Sequence, residues 1–250
     1  MSNTNTNKTA AYFKGSNSAK CTLLGTAKAD SIYNEKANLT VVTIVTREEY
    51  TGRDGQPAEL LREVPLYLTG ADFTARAGDV ILVTGALHLA EAKGGNAKYP
   101  TLFERIMPSK VENLGAAKTN GLNQAVITGF VGSTRELKGK QPGLAVTVAV
   151  TRVQGGQEKT DWHESLFWGK RAENAGKLLS KGTLVSISGV LANRTVKVGE
   201  TSKVLLGFMP TEFAILHKKD GAAPAKSQPA ESGQEEAGTA FEDDGSGIPF

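Results

Sequence analysis

Apolar and polar residues alternate in short runs along most of this chain. Leu39–Thr46 (LTVVTIVT), Val80–Leu87 (VILVTGAL), Leu144–Thr151 (LAVTVAVT) and Leu184–Leu191 (LVSISGVL) are rich in β-branched residues with partial two-residue alternation. Gly-rich segments separate them, which predicts β-strands joined by turns. One stretch has a helical period instead. Ala172, Ala175, Leu178 and Leu179 recur at three- and four-residue spacing, predicting a helix over Lys170–Lys181 with Gly182 as its stop. The flanks show no period. Residues 1–20, rich in Asn, Thr, Ser and Lys, read as a disordered arm. Residues 220–250, rich in Ala, Pro, Gly, Ser, Gln and Glu, bury too little apolar surface to offset chain entropy and read as a flexible tail.

The strand pattern repeats. LTVVTIVT and LAVTVAVT share four of eight residues at an offset of 105. At an offset of 104, Gly85 and Leu87 align with Gly189 and Leu191, and Gly25 in CTLLGTA aligns with Gly129 in AVITGFV. Three segments in order at one near-constant offset predict a duplicated domain. The boundaries expected are a first domain at 21–114, a linker at 115–121 and a second domain at 122–219. Each half shows three strands, a short helix and two strands, with the helix of the first half reduced to Ala71–Arg76. That order fits an all-β, five-stranded OB-fold barrel, and periodicity alone leaves another small barrel or sandwich open.

Charge changes the picture further. The chain of 250 residues carries a net charge of +3. From Asp220 onward there are seven acids and one base, Lys226, a net −6; residues 1–219 hold 28 bases against 19 acids, a net +9. A basic body before an acidic tail points to a polyanion partner for the body. A lone cysteine, Cys21, excludes an internal disulfide, and His88, His163 and His217 stand too far apart for a metal-ligand motif. No cofactor and no metal are expected. There is no phosphate-binding Gly-Lys-Ser/Thr loop and no nucleophile elbow, so a binding protein rather than an enzyme is expected. No apolar run approaches the ~18 residues of a membrane span, and the N-terminus lacks a secretory h-region. The expected location is cytoplasmic and nucleoid-associated.

The second half then resembles a known family. Asp161-Trp162-His163-Glu164-Ser165-Leu166-Phe167-Trp168-Gly169-Lys170-Arg171-Ala172-Glu173 is similar to the third-strand motif of bacterial single-stranded DNA-binding proteins. The match continues through Leu179–Gly182 and Val185–Leu191. The terminus Glu242–Phe250, with acids before Ile248-Pro249-Phe250, resembles that family's acidic tip. The plan resembles the two-barrel form of the Thermus and Deinococcus lineage.

The resemblance implies two tandem OB-folds, sequence-independent binding of single-stranded DNA in replication, recombination and repair, and no catalysis. It implies a homodimer, which brings four barrels together. Trp162 and Trp168 are six residues apart, so on a strand they share a face; alone, such a pair also fits a core. Indole faces stack bases at roughly 1–3 kcal/mol each without reading sequence. Lys138, Lys140, Arg152, Lys170, Arg194 and Lys197 are the expected phosphate contacts of the second half. In the first half the candidates are Tyr50, Tyr67, Tyr99, Arg47, Arg53, Lys93 and Lys98. Val153, Gln154 and Val196 stand where the family usually carries aromatics, so each barrel holds a partial set and uneven binding is expected. His163 is expected to be structural. The tail residues Asp243, Asp244, Ile248, Pro249 and Phe250 are expected to recruit replication and repair enzymes through an apolar plug beside a carboxylate. An RNA-binding OB protein and a structural adaptor are the alternatives.

Overall fold

The computed structural model describes residues 17–51, 55–92, 101–139, 141–198 and 201–218; at Lys197 this covers the backbone alone. The arm up to residue 16 and the tail from residue 219 lie outside them. Eleven strands and one α-helix account for most of the described chain. In the first half these are β1 (Ser18–Ala27), β2 (Ile32–Asn34), a single 3-10 turn (Glu35–Ala37), β3 (Leu39–Thr51), β4 (Pro57–Thr69), β5 (Asp79–Glu91) and β6 (Leu102–Ala116). In the second half they are β7 (Leu122–Leu137), β8 (Gly143–Gln154), β9 (Gln157–Trp168), α1 (Lys170–Leu178), β10 (Leu184–Val198) and β11 (Thr201–His217).

Contacts divide the chain into two units. One groups Ala125–Val190 with the strand end beginning at Phe208; the other groups Cys21–Gln124 with Leu191–Gly207, the far end of the β10–β11 hairpin. Within the first of these, β7 pairs with β8 and β10, and β8 with β9, all antiparallel. The helix follows the third strand and packs on β8 and β9, as an OB-fold requires. From Val146 onward β8 alternates, with Val146, Val148 and Val150 buried and Thr147, Ala149 and Thr151 half-exposed, while Gly143, Leu144 and Ala145 are all buried. Phe167 closes the core edge-on against Phe213, with centroids 5.7 Å apart and planes at 81°. Gly155 and Gly156, both at positive φ, make the two-residue turn that joins β8 to β9.

The first half uses the same frame. β3 pairs with β1, β2 and β4, and β5 with β1 and β6. The glycines give the internal offset. A Cβ on Gly25 would sit well under 3.0 Å from the Val45 carbonyl oxygen, and one on Gly129 would meet Ala149 in the same way. Gly78 and Gly182 both have φ +88, and their N–H groups donate to Ala27 (2.9 Å) and Val131 (2.8 Å). Every one of these pairs is 104 apart. The offset of 105 for β3 and β8 is therefore a one-residue slip. It would lay buried Val146 over half-buried Val41, whereas 104 lays Leu144, Val146, Val148 and Val150 over Thr40, Val42, Ile44 and Thr46, all buried. Runs of Val and Thr score identities in either register, but a strand slipped by one swaps its faces.

Two helix expectations change. Ala71–Arg76 is an extended loop, not a helix. Side chains take backbone donors at its end: Ser31 Oγ and Asp30 Oδ1, distant in sequence, accept from Ala75 N–H (3.0 Å) and Ala77 N–H (2.8 Å), and nearby Asp79 Oδ2 accepts from Arg76 N–H (2.9 Å). Six residues cannot offset helix nucleation against such competition. The helix expected over 170–181 ends at Leu178, because Leu179 takes an extended conformation that buries its side chain.

Cys21 lies buried on β1. Burial, and secondly the Glu104 carboxylate, push its thiol up to about 12 from the ordinary 9.0. The folded chain thus holds the proton that the unfolded chain releases, so this contribution to stability is full below pH 9.0 and declines as pH climbs toward 12. At pH 8 a thiol reagent should label native protein only at its opening rate, and urea should raise the labelling to that of a free cysteine.

Candidate nucleic-acid interface

On β9 the odd-numbered residues Asp161, His163, Ser165 and Phe167 are buried. The even-numbered ones therefore form the outer strip. Trp162 is 51% exposed and Trp168 38%, so neither indole is a core residue. Register sets their neighbours. Trp162 lies opposite Ala149, itself opposite Phe130; Trp168 lies opposite Gly143, itself opposite Leu137. Between the two indoles the β8 floor is Ala145 and Thr147. Both rings come close against glycines: a Cβ on Gly132 would collide with Trp162 Cζ3, and one on Gly143 would be 2.5 Å from Trp168 Cζ3.

The loop after β7 flanks this strip. Gly169 N–H donates to Pro142 O (2.8 Å), and Gly139 comes close to the Trp168 ring. Lys138 at the loop's start, next to Gly139, and Lys170 at the start of α1, two residues after Trp168, are both exposed. Lys140 lies outside the described residues, as does the side chain of Lys197. Arg152 is placed differently. It shares the parity of Val148 and Val150, and its Nε donates to Asp161 Oδ2 at 2.7 Å, with the two side chains 16% and 3% exposed. Its charge is committed to a buried carboxylate. Arg194 is half-buried, with its stem over Gly207 and its Nη2 donating to Leu102 O at 3.2 Å. His163 is fully buried, as a structural residue should be.

The outer strip also holds residues that motif reading missed. Arg135 pairs with Glu164 at 3.6 Å, between the two indoles, and Phe130 extends the Trp162 row. The alternation Val126, Thr128, Phe130 carried the signal for the latter.

In the first half, Tyr67 is 39% exposed on the corresponding outer face, opposite Val41. Tyr50 lies on the other face by parity and is half-buried. Arg47 pairs with Glu59 at 3.1 Å. Arg53, Lys93, Lys98 and Tyr99 lie outside the described residues, as do the tail residues Asp243, Asp244, Ile248, Pro249 and Phe250. Register gives the counterparts of the indoles. Glu63 pairs with Val45 as Trp162 pairs with Ala149, and Thr69 pairs with Leu39 as Trp168 pairs with Gly143. Glu63 is ion-paired with Lys28, and Arg62 pairs with Glu48 at 3.3 Å. Charge follows the same division. Residues 122–219 contain 14 Lys and Arg against 7 Asp and Glu, a net +7, whereas residues 21–114 contain 10 against 12, a net −2.

Residues 122–205 match the model of the Single-strand binding protein family. The second half carries a domain of that family. The single-stranded DNA-binding protein of Xanthomonas campestris is 35% identical over 79 residues, 28% of this chain and 46% of that protein; its counterpart in Xylella fastidiosa is 35% identical over 77 residues, 28% of this chain and 47% of that protein. The chain spans about half the length of the curated relatives it matches. Similarity of fold reaches further than the family domain. The wild-type single-stranded DNA binding protein from Thermus aquaticus superposes with a TM-score of 0.58 over 82% of this chain and 96% of that one, at 18% identity. A deletion mutant of it gives 0.59. The two-barrel plan of the Thermus type is therefore the fold of the whole described chain. Among the described residues no helix is long and apolar enough to cross a membrane, and no cluster of three or more His, Cys, Asp or Glu could hold a metal.

Removing one partner of a buried ion pair leaves the other charge unpaired, so Arg152→Ala should lower unfolding stability by about 3 kcal/mol in urea titrations. Lys170→Ala, at an exposed helix start, should change stability by less than about 0.5 kcal/mol.

Proposed function

We propose that this chain binds single-stranded DNA without sequence preference, through the outer face of β7–β9, in replication, recombination and repair. The observation that carries the reading is the pair of half-exposed indoles on one strand face of a +7 family domain. Trp162 and Trp168 stack bases, and Lys138, Lys140 and Lys170 neutralise phosphates. Arg194 and Lys197 are further phosphate contacts, and Arg152 serves mainly to hold Asp161. The first barrel is the weaker grip. Its strip offers Tyr67 alone among aromatics in the described residues, and acids pair Lys28, Arg47 and Arg62. Tyr99, Arg53, Lys93 and Lys98 add secondary contacts there, whereas Tyr50 lies on the opposite face of β3.

The acidic tail acts as a recruiting arm. Asp243 and Asp244 steer, while Ile248, Pro249 and Phe250 with the terminal carboxylate fill an apolar pocket rimmed by cations on replication and repair enzymes. The protein is a binding module, not an enzyme, and works in the cytoplasm on the nucleoid. Two chains assemble as a homodimer with four barrels.

Indole fluorescence titrated with poly(dT) tests this, because both tryptophans lie on the proposed face. Strong quenching by single strands, little by duplex and a steep salt slope are expected. Trp162→Ala and Trp168→Ala should each cost about 1–3 kcal/mol of binding. Lys170→Ala should lower the salt slope by about 0.7. Equal affinity for RNA would favour a translational or cold-response role, and no quenching at low salt would favour an assembly adaptor.

A further inference from the structure

Glycine inside a strand weakens it, by roughly 0.5–1 kcal/mol against alanine, so each needs a reason. Gly25, Gly85, Gly129 and Gly189 have one in the barrel frame, where an added Cβ would strike a carbonyl oxygen of the paired strand. All four recur at the 104-residue offset. Gly132 and Gly143 differ. Both occupy outer-face positions, and neither has positive φ, so backbone conformation does not call for glycine. Gly132 sits at the register shift between Val131 and Ser133, but without the left-handed φ of a glycine bulge. The three atoms nearest a Cβ at Gly132 all belong to the Trp162 ring. At Gly143 the two nearest belong to Trp168, at 2.5 and 2.8 Å, followed by Leu137 Cβ at 2.9 Å.

The first half supplies an internal comparison. At the offset of 104, Gly132 corresponds to Lys28 and Gly143 to Leu39. Those two face Glu63 and Thr69, the residues in the places of Trp162 and Trp168. Where the indole is missing, so is the glycine against it, while the frame glycines stay.

We infer that Gly132 and Gly143 are positioning residues that make room for the two indole rings against the sheet, and so fix the orientation in which each ring meets a nucleic-acid base. A side chain at either seat displaces the ring from that orientation. The seats act through the tryptophans alone and leave the phosphate contacts unchanged. The role in binding rests on the single-stranded DNA reading above; the seating of the rings does not.

Gly132→Ala is the cleaner test, since the three atoms nearest its methyl all belong to the movable ring. In a Trp168→Phe chain, where Trp162 is the sole indole, it should raise acrylamide quenching of the DNA-free protein and shift the emission. Affinity for poly(dT) should fall about fivefold or more with the salt slope unchanged and the melting temperature unchanged or raised. In a Trp162→Ala background the same substitution should cost nothing further. Gly143→Ala should also raise the accessibility of Trp168, with an added cost from the Leu137 Cβ 2.9 Å away that persists without the ring. Gly129→Ala, whose methyl meets backbone, should instead lower the melting temperature. Unchanged indole accessibility in Gly132→Ala overturns the seat. A loss of affinity that persists in full without Trp162 overturns its action through the ring. If the ring moves while affinity holds, and Trp162→Ala also binds normally, the seat stands and stacking of DNA on this face is what fails.

Discussion

The backbone of β7 passes so close to β8 at Gly129 that a methyl group there would enter the Ala149 carbonyl. β1 and β3 repeat this approach at Gly25 and Val45. A close-packed interior has no slack to absorb such an atom. The approach fixes the register of the first two strands of each barrel, and the third strand inherits it. In the second half β8 then dictates which residues of β9 face the core. Asp161, His163, Ser165 and Phe167 go inside, and the two tryptophans are left on the surface. Placement of the indoles is thus a consequence of strand register more than of any local preference of tryptophan.

The two halves share this frame and differ on its outer face. One carries two indoles against glycines and a net +7; the other carries Glu63 and Thr69 in their places, ion pairs around them and a net −2. Such a division is what a duplicated barrel permits. The frame residues are constrained by packing in both copies, whereas an outward position can change without cost to the fold. One copy carries two exposed indoles on that face, and the other carries ion pairs there.

Much of this was legible in the sequence because a two-residue period is local. The four main strand runs, the helix at 170–178 and the shared face of Trp162 and Trp168 needed no distant information. Three features did. The loop at 71–76 is held out of a helix by Asp30 and Ser31, whose proximity only the fold creates, together with the local Asp79. Arg152 reads as one more surface cation until the parity of β8 sends it to Asp161. The true repeat offset was hidden because Val and Thr substitute for one another in strands, so identity rewarded a slipped alignment. Positions beyond the described residues, the tail above all, rest on the motif alone.

The turn at Gly155 and Gly156 has a reach out of proportion to its size. Two residues at positive φ close the β8–β9 hairpin and count out its pairing. Length there is a parity setting. One inserted residue, if the hairpin re-paired around it, would exchange the faces of β9 and drive two indoles into a space built for histidine and serine. Evolution can therefore vary the chemistry along this strip residue by residue, but it can lengthen the hairpin only in steps of two.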